Sequence, residues 1–382
     1  MLDVAAAAYR HLYVHVPFCA RRCSYCDFSI AVRRDVPVAE YVTSVGAELA
    51  IRGLRHSRPT LDTLYLGGGT PSRLGSDGIG ALLDTIREVA DLAPGAEVTM
   101  EANPEDITVD TVRRWKGHGV TRLSIGVQSF DDRVLQWMHR VHDGAAAETA
   151  VHAARDGGIE EFSLDLIFAL PQGIERNWEQ DVGRALALAP GHVSLYGLTI
   201  EDGTPLGRWR ERGDVTESPE ERYEVEFLHA HRVLSDAGFE HYEVSNFAQP
   251  GCRARHNSAY WTGAPYLGVG PSAHGFDGIS RAWNLKHYAE WVRALDRGVL
   301  PVGGHERLTD ENRAAETVYL GLRTSDGLDV TTSEVAVLQS WIRAGWLVEQ
   351  KTMSHQRVLC TAEGWLRLDA LAADLTARRS HS

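Results

Sequence analysis

Short apolar runs alternate with amphipathic segments through the first 200 residues, and this alternation restricts the possible folds more than any other feature. Six runs have the compact apolar character of buried strands: residues 12–16, 63–66, 97–100, 122–127, 162–168 and 192–198. Helical segments between them include residues 38–55, 77–89, 110–118 and 177–187. Strand and helix in repetition predict a parallel α/β sheet. Six units are too few for a closed eight-stranded barrel, so we predict an open, partial (β/α)6 TIM-like barrel.

Polar and glycine residues directly follow several of the predicted strands. Gly67, Gly68, Gly69 and Thr70 follow the second strand, Glu101 follows the third, and Gln128 follows the fourth. Ligands bind at the carboxyl ends of parallel strands. A glycine run alone often only forms a turn, but these positions together predict one binding rim.

Three cysteines, Cys19, Cys23 and Cys26, follow the first strand with the spacing C-x3-C-x2-C. Thiolates are soft ligands that suit iron–sulfur clusters, which usually have four cysteine ligands. Three ligands would leave one iron of a 4Fe–4S cluster open to a group from outside the protein. A partial zinc site or plain buried thiols are the alternatives, but zinc spacing usually includes a second pair of ligands, and none follows here.

The composition limits the cellular compartment and the binding partners that we expect for this protein. Five cysteines, three of them clustered, do not make a secreted disulfide framework, and an iron–sulfur cluster needs a reducing environment. The formal charge of −13 disfavours nonspecific nucleic-acid binding. The first residues have no basic, apolar leader pattern, and no run of about 18 apolar residues predicts a membrane span. We therefore expect a cytoplasmic protein without a membrane span.

The pattern changes twice along the chain and predicts three parts. Residues 1–205 form the partial barrel with the cluster and its ligand, and residues 206–304 form an extension rich in aromatic side chains. Residues 305–382 have the order helix, helix, hairpin, helix, which resembles a winged-helix domain.

The chain resembles the oxygen-independent coproporphyrinogen III oxidase family of radical S-adenosylmethionine (SAM) proteins along its whole length. The matching segments are HVPFCARRCSYCDF, LGGGTPS, MEANPED, RLSIGVQSF, RVHD, SLDLIFALPQG, YGLTIEDGT, YEVSNFA, RHNSAYW and YLGVGPSAHG. The resemblance implies the partial-barrel fold and a 4Fe–4S cluster on Cys19, Cys23 and Cys26, with SAM on the open iron. It implies SAM contacts at Tyr13, Gly68, Gly69, Thr70, Glu101, Gln128, Arg140, Asp165 and Thr199.

Some of these residues also have simpler interpretations. Tyr13 has the pattern of a core strand tyrosine, and Arg140 that of a solvated arginine. Asp165 lies in an apolar run, where an unpartnered carboxylate is costly, so it needs hydrogen-bond donors such as a ribose hydroxyl or backbone amides.

Two departures from the decarboxylase pattern resemble the heme chaperones of the same family. The decarboxylase has a further cysteine two residues after the third, where this chain has Phe28, and it has a longer segment before the cluster. The segment His256, Asn257, Tyr260 and Trp261 matches a motif associated with heme in that subfamily. Imidazole is a common heme ligand, so His256, Tyr260 and Trp261 are heme candidates. The alternative for His256 is a hydrogen-bonded structural histidine.

Other side chains around that motif are weaker candidates for contacts with heme. Arg253 and Arg255 could pair with heme propionates. Cys252 and His274 are further candidate ligands, although a plain thiol is the better interpretation of Cys252.

The leading hypothesis is a heme-binding carrier that transfers heme to an unidentified acceptor protein. A coproporphyrinogen III oxidase, which decarboxylates propionates by radical SAM chemistry, is the main alternative, and a related radical-SAM methyltransferase is another. The winged-helix-like tail suggests a nucleic-acid-binding regulator, but the acidic charge argues against it. The resemblance leaves open whether the chain is an enzyme.

Overall fold

A computed structural model describes residues 9–351 and 356–380. Its centre is an open sheet of nine strands within that part of the chain. Six core strands lie side by side in chain order, all parallel, and confirm the predicted α/β fold. These strands are His11–Val16, Thr60–Gly68, Asp91–Ala102, Arg122–Gln128, Glu161–Phe168 and His192–Gly197.

Three short strands that the sequence did not predict extend this sheet at both edges. Leu267–Val269 pairs in parallel with the first core strand. Asn246–Ala248 pairs antiparallel with the sixth, and Glu240–Glu243 pairs with Asn246–Ala248. Strands of three or four residues contain too few alternations to show a period, so neighbouring strands define them.

Helices connect the core strands and pack beside one another, as parallel crossovers require. Local sequence sets their ends: Thr108 and Thr111 form a capping box at the start of Val109–His118, and Gly119, with a φ of 102°, ends it. The α-helices among the described residues are Val38–Ile51, Leu54–Ser57, Gly75–Arg87, Val109–His118, Asp132–Trp137, Gly144–Asp156, Trp178–Ala187, Pro205–Glu211, Glu220–Asp236, Arg255–Trp261, Tyr288–Asp296, Asp310–Arg323, Thr332–Arg343, Ala362–Trp365 and Leu368–Ser380.

The C-terminal part contains the helices and the hairpin that the sequence predicts. Asp310–Arg323 and Thr332–Arg343 are helices, and Leu347–Lys351 pairs antiparallel with Gln356–Cys360. The residues that join these two strands, 352–355, lie outside the described part. Apolar side chains of this region share one continuous core with the barrel, so the boundary at residue 305 and the winged-helix likeness stay predictions.

Within residues 9–351 and 356–380, no helix has both the length and the apolar character needed to cross a membrane. The first eight residues, on which the expectation of no leader peptide rests, lie outside the described part.

Candidate SAM and cluster site

A cavity of about 410 Å³ lies at the carboxyl ends of the core strands, a volume in the usual range for small-molecule sites. Its lining includes all three cysteines of the predicted cluster site. Of the residues predicted for SAM, the lining contains Gly68, Gly69, Thr70, Glu101, Gln128, Arg140, Asp165 and Thr199, whereas Tyr13 and the heme candidates His256, Tyr260 and Trp261 are not part of it.

The cysteines lie on a loop, residues 17–32, that we call the cysteine loop. Its ends pair in parallel, Phe18–Cys19 with Ala31–Val32. Further along, Ser24 donates a backbone hydrogen bond to Met138 and accepts one from Leu206, at 3.2 and 2.9 Å. Backbone bonds at its ends and in its middle therefore fix the loop against the barrel.

The thiols of Cys19 and Cys23 have different polar neighbours in the cavity. The Cys19 sulfur lies 3.5 Å from the Thr70 hydroxyl, and Arg140 Nη1 donates to the Cys23 sulfur at 3.6 Å. Burial raises the pKa of Cys19 and raises that of Cys26 to about 12, so these thiols stay protonated unless a metal cation lies beside them. Among the described residues no three His, Cys, Asp or Glu side chains converge on a single metal ion.

The glycine loop after the second core strand has no room for side chains. Gly68 has a φ of 113°, and a Cβ there would lie 2.5 Å from the His15 ring. A Cβ on Gly69 would lie 3.0 Å from the Cys19 sulfur and 2.8 Å from the Pro17 backbone. Glycine therefore allows the loop backbone to approach both the first strand and the cluster ligands.

Glu101, like Asp165, is a carboxylate in the wall of the cavity. It accepts hydrogen bonds from the Tyr65 hydroxyl at 3.0 Å and from the Gly68 amide at 2.9 Å. Burial raises its pKa to about 7, although both hydrogen bonds favour the ionised form. A buried carboxylate of this kind suits a positively charged ligand group, such as an amino group, that would keep it ionised.

Arg140 connects the cysteines with the neighbouring strand ends. Its Nη2 donates to Asn103 Oδ1 at 2.6 Å and to the Gly126 carbonyl at 2.7 Å. Its buried Nε has no hydrogen-bond partner among the described residues. Gln128, which lines the same wall, has a φ of 67°, a left-handed conformation that is strained for most side chains and often occurs at functional sites. The simpler interpretation of Arg140 as a solvated arginine therefore does not fit the structure.

Asp165 receives hydrogen bonds from one serine of the neighbouring strand and one of its own strand. The Ser124 hydroxyl donates to Oδ2 at 2.8 Å and the Ser163 hydroxyl donates to Oδ1 at 3.1 Å. Burial still raises its pKa. These serines provide the donors that the sequence requires, and Asp165 lines the cavity with lone pairs left for a ligand hydroxyl.

The heme motif lies on the helix Arg255–Trp261, outside the cavity lining. His256 is only 1% exposed; its Nδ1 is 2.7 Å from the Thr63 hydroxyl and its Nε2 is 2.8 Å from the Tyr260 hydroxyl. Its ring stacks on Tyr65 with centroids 5.1 Å apart. In this arrangement both ring nitrogens are occupied, and iron coordination would require breaking one of the two hydrogen bonds.

The other side chains near the motif also contact groups of the protein itself. Arg323 lies 4.1 Å above the centre of the Trp261 ring. Arg253 bonds to Glu240, and the Arg255 guanidinium donates to the Gly95 carbonyl. Tyr13 is half-buried, and its ring stacks on Tyr65 with centroids 6.0 Å apart.

Cys252 and His274, the weaker candidates, lie apart from the SAM cavity. Cys252 is half-buried, and its sulfur would lie 3.2 Å from a Cβ placed on Gly191. His274 is exposed and stacks on Trp283, with ring centroids 5.8 Å apart. Neither residue lines the SAM cavity.

Several lining residues were missed by the sequence analysis. Asn103 holds Arg140, Ser124 holds Asp165, and Tyr196 and His139 line the outer part of the cavity. The position of Asn103 two residues after Glu101 was a usable signal, since it also follows a strand end. A serine or tyrosine within a strand has no such signal.

Comparisons with known proteins show what this chain is similar to. The profile of the Radical SAM superfamily matches residues 13–185. A protein named heme chaperone HemW from Mycobacterium tuberculosis (strain ATCC 25618 / H37Rv) is 36% identical, covering 95% of this chain and 94% of its own. HemW from Bacillus subtilis (strain 168) is 34% identical, covering 83% and 84%. The coproporphyrinogen III oxidase HemN from Escherichia coli has a TM-score of 0.81 at 22% identity, covering 97% and 91%, which shows a shared fold.

Proposed function

The chain belongs to the heme chaperone HemW family of radical SAM proteins, and on that premise we propose that it binds heme and transfers it to an acceptor protein. One observation carries the proposal: 36% identity to a protein of that name extends over 95% of the chain. We place the protein in the cytoplasm and leave its acceptor, soluble or membrane-bound, unidentified.

The radical SAM family implies a 4Fe–4S cluster and SAM, and we propose that the cavity holds both. The three cysteine thiols line one cavity, and the orphaned Arg140 Nε is buried beside it, which fits an anionic group at this position. Cys19, Cys23 and Cys26 would hold three irons, and the bound cluster would supply a redox centre with one open iron.

The polar walls would then bind SAM by complementary charge. Glu101 would accept hydrogen bonds from the amino group, and Asp165 would accept from a ribose hydroxyl beyond its serine partners. Gly68 and Gly69 allow close backbone approach, and Gln128 and Arg140 close the opposite wall.

Anaerobic reconstitution separates the carrier from the decarboxylase. The reconstituted protein is incubated with hemin alone and, separately, with coproporphyrinogen III, SAM and a strong reductant. A carrier forms a stable heme complex and releases no protoporphyrinogen IX. Sustained, SAM-dependent formation of protoporphyrinogen IX would instead establish the oxidase and overturn the proposal.

A further inference from the structure

Three exposed side chains form an apolar rim around the mouth of the SAM cavity. Phe28 is 56% exposed, Val141 49% and Tyr196 45%, and all three line the cavity. They come from the cysteine loop, from the loop after Asp132–Trp137 and from the sixth core strand. Single exposed apolar residues are ordinary, but a group at one opening marks a ligand or interaction surface.

His139 presents an imidazole at the same opening. It is exposed, it lines the cavity, and neither ring nitrogen has a hydrogen bond among the described residues. The ring stands edge-on to Trp209, with centroids 5.7 Å apart and planes at 80°. A free imidazole on an aromatic support is a suitable axial ligand for heme iron.

The backbone at His139 is held in a conformation that is uncommon for residues other than glycine. Its φ is 60°, in the left-handed region. Backbone hydrogen bonds on both sides, from the His139 amide to Gln136 at 3.0 Å and from Arg140 to Leu135 at 2.8 Å, fix it there. Strain that the surroundings maintain is typical of functional positions.

A positive charge without a partner completes the rim. Arg21 is exposed and lines the cavity, and it has no ion pair or hydrogen bond among the described residues. The chain as a whole is acidic, with a formal charge of −13. A free guanidinium in such a chain suits a carboxylate ligand, because it forms two parallel hydrogen bonds with one.

We propose that heme binds across this rim, with His139 as the axial ligand of its iron. Phe28, Val141 and Tyr196 contact the porphyrin, and Arg21 pairs with a propionate. The polar interior of the cavity keeps the groups suited to SAM, whereas the rim has the apolar surface suited to a macrocycle. This site rests on the proposed heme function and specifies where the heme is held.

The rim explains heme binding better than the motif around His256. His256 is buried and both of its ring nitrogens are hydrogen-bonded, whereas His139 is exposed and free. Coordination by His139 needs no rearrangement of the barrel, and it leaves the heme accessible to an acceptor protein.

Replacement of His139 by glycine tests the ligand without disturbing the fold, because glycine favours a φ of 60°. Cluster-loaded wild type and His139→Gly are titrated with hemin, followed by Soret absorbance and electron paramagnetic resonance. We expect hemin affinity to fall at least tenfold and the spectrum to change, with iron content and SAM affinity preserved. Millimolar imidazole should restore the wild-type spectrum. His152→Ala, at an exposed histidine on Gly144–Asp156, is the matched control and should behave as wild type.

The results that would contradict this proposal can be told apart. Wild-type affinity and spectrum in His139→Gly would overturn the rim site, and so would a loss of affinity that imidazole cannot restore. Val141→Ser should weaken hemin binding while it keeps the same ligand spectrum; unchanged affinity would remove the apolar rim from the site. A wild-type protein that binds no hemin at all would overturn the proposed function together with this site.

Discussion

Replacing Glu101 by glutamine should change the free energy of unfolding by an amount that depends on pH. Burial raises the pKa of Glu101 to about 7, compared with 4.5 for an unburied glutamate. The folded chain therefore prefers the protonated carboxyl. Ionisation destabilises the fold as the pH rises above 4.5, and the cost grows until about pH 7 and is constant above it. At about 1.4 kcal/mol per pKa unit, the full cost is about 3 kcal/mol.

The glutamine variant is neutral at every pH and so avoids this cost. It loses one acceptor for the Tyr65 hydroxyl or the Gly68 amide, which costs about 1 kcal/mol at all pH values. Because that cost is the same at every pH, it does not change the trend, and between pH 5 and pH 8 the stability of Glu101→Gln relative to wild type should rise by about 2.5 kcal/mol.

Thermal unfolding under anaerobic conditions, at equal cluster content and without SAM, measures this difference. Asp131→Asn is the matched control. Hydrogen bonds from Arg133 lower the pKa of Asp131 below the 3.8 of an unperturbed aspartate. Asp131 therefore stays ionised from pH 5 to pH 8, and its variant should differ from wild type by the same amount at both pH values. An equally constant difference for Glu101→Gln would refute the reasoning about the buried carboxylate.

Three further outcomes follow from the site. Replacing Cys19, Cys23 and Cys26 together by alanine should abolish the brown chromophore and the bound iron, and four irons per chain in that variant would rule out the assignment. Gln128→Asn, which tolerates the φ of 67°, should weaken SAM binding about tenfold by calorimetry with normal iron content; unchanged affinity would remove Gln128 from the site. His256→Ala should lower the free energy of unfolding by about 2–4 kcal/mol in denaturant titrations, because the buried Tyr260 hydroxyl loses its partner; equal stability would contradict a structural role.

The core of the fold was predictable because each core strand is a compact apolar run followed by a helix. The carboxyl ends of parallel strands meet at one edge, so Glu101 and Gln128 could be placed at one rim from order alone. The short edge strands could not be predicted, since three or four residues show no period, and the partner of Leu267–Val269 lies more than 200 residues away.

The details of the site depend on packing that no local pattern expresses. His256 heads an aromatic run, which suggests a ligand, but the helix Arg255–Trp261 lies against the second core strand and buries the ring on Tyr65. His139 has no motif of its own, and only the folded loop shows that its ring is free and lies at the mouth of the cavity. Residue type indicates what chemistry is available, whereas burial and hydrogen bonding decide which residue can perform it.

Direct transfer of heme to another protein is the central claim, and one measurement tests it. Heme-loaded protein is mixed anaerobically with apomyoglobin, either in one chamber or across a dialysis membrane that passes free heme but neither protein. We predict rapid, stoichiometric appearance of holomyoglobin in the single chamber and much slower transfer across the membrane, because the carrier delivers heme by contact. Equal rates in both arrangements, or heme that stays on the protein, would contradict the account.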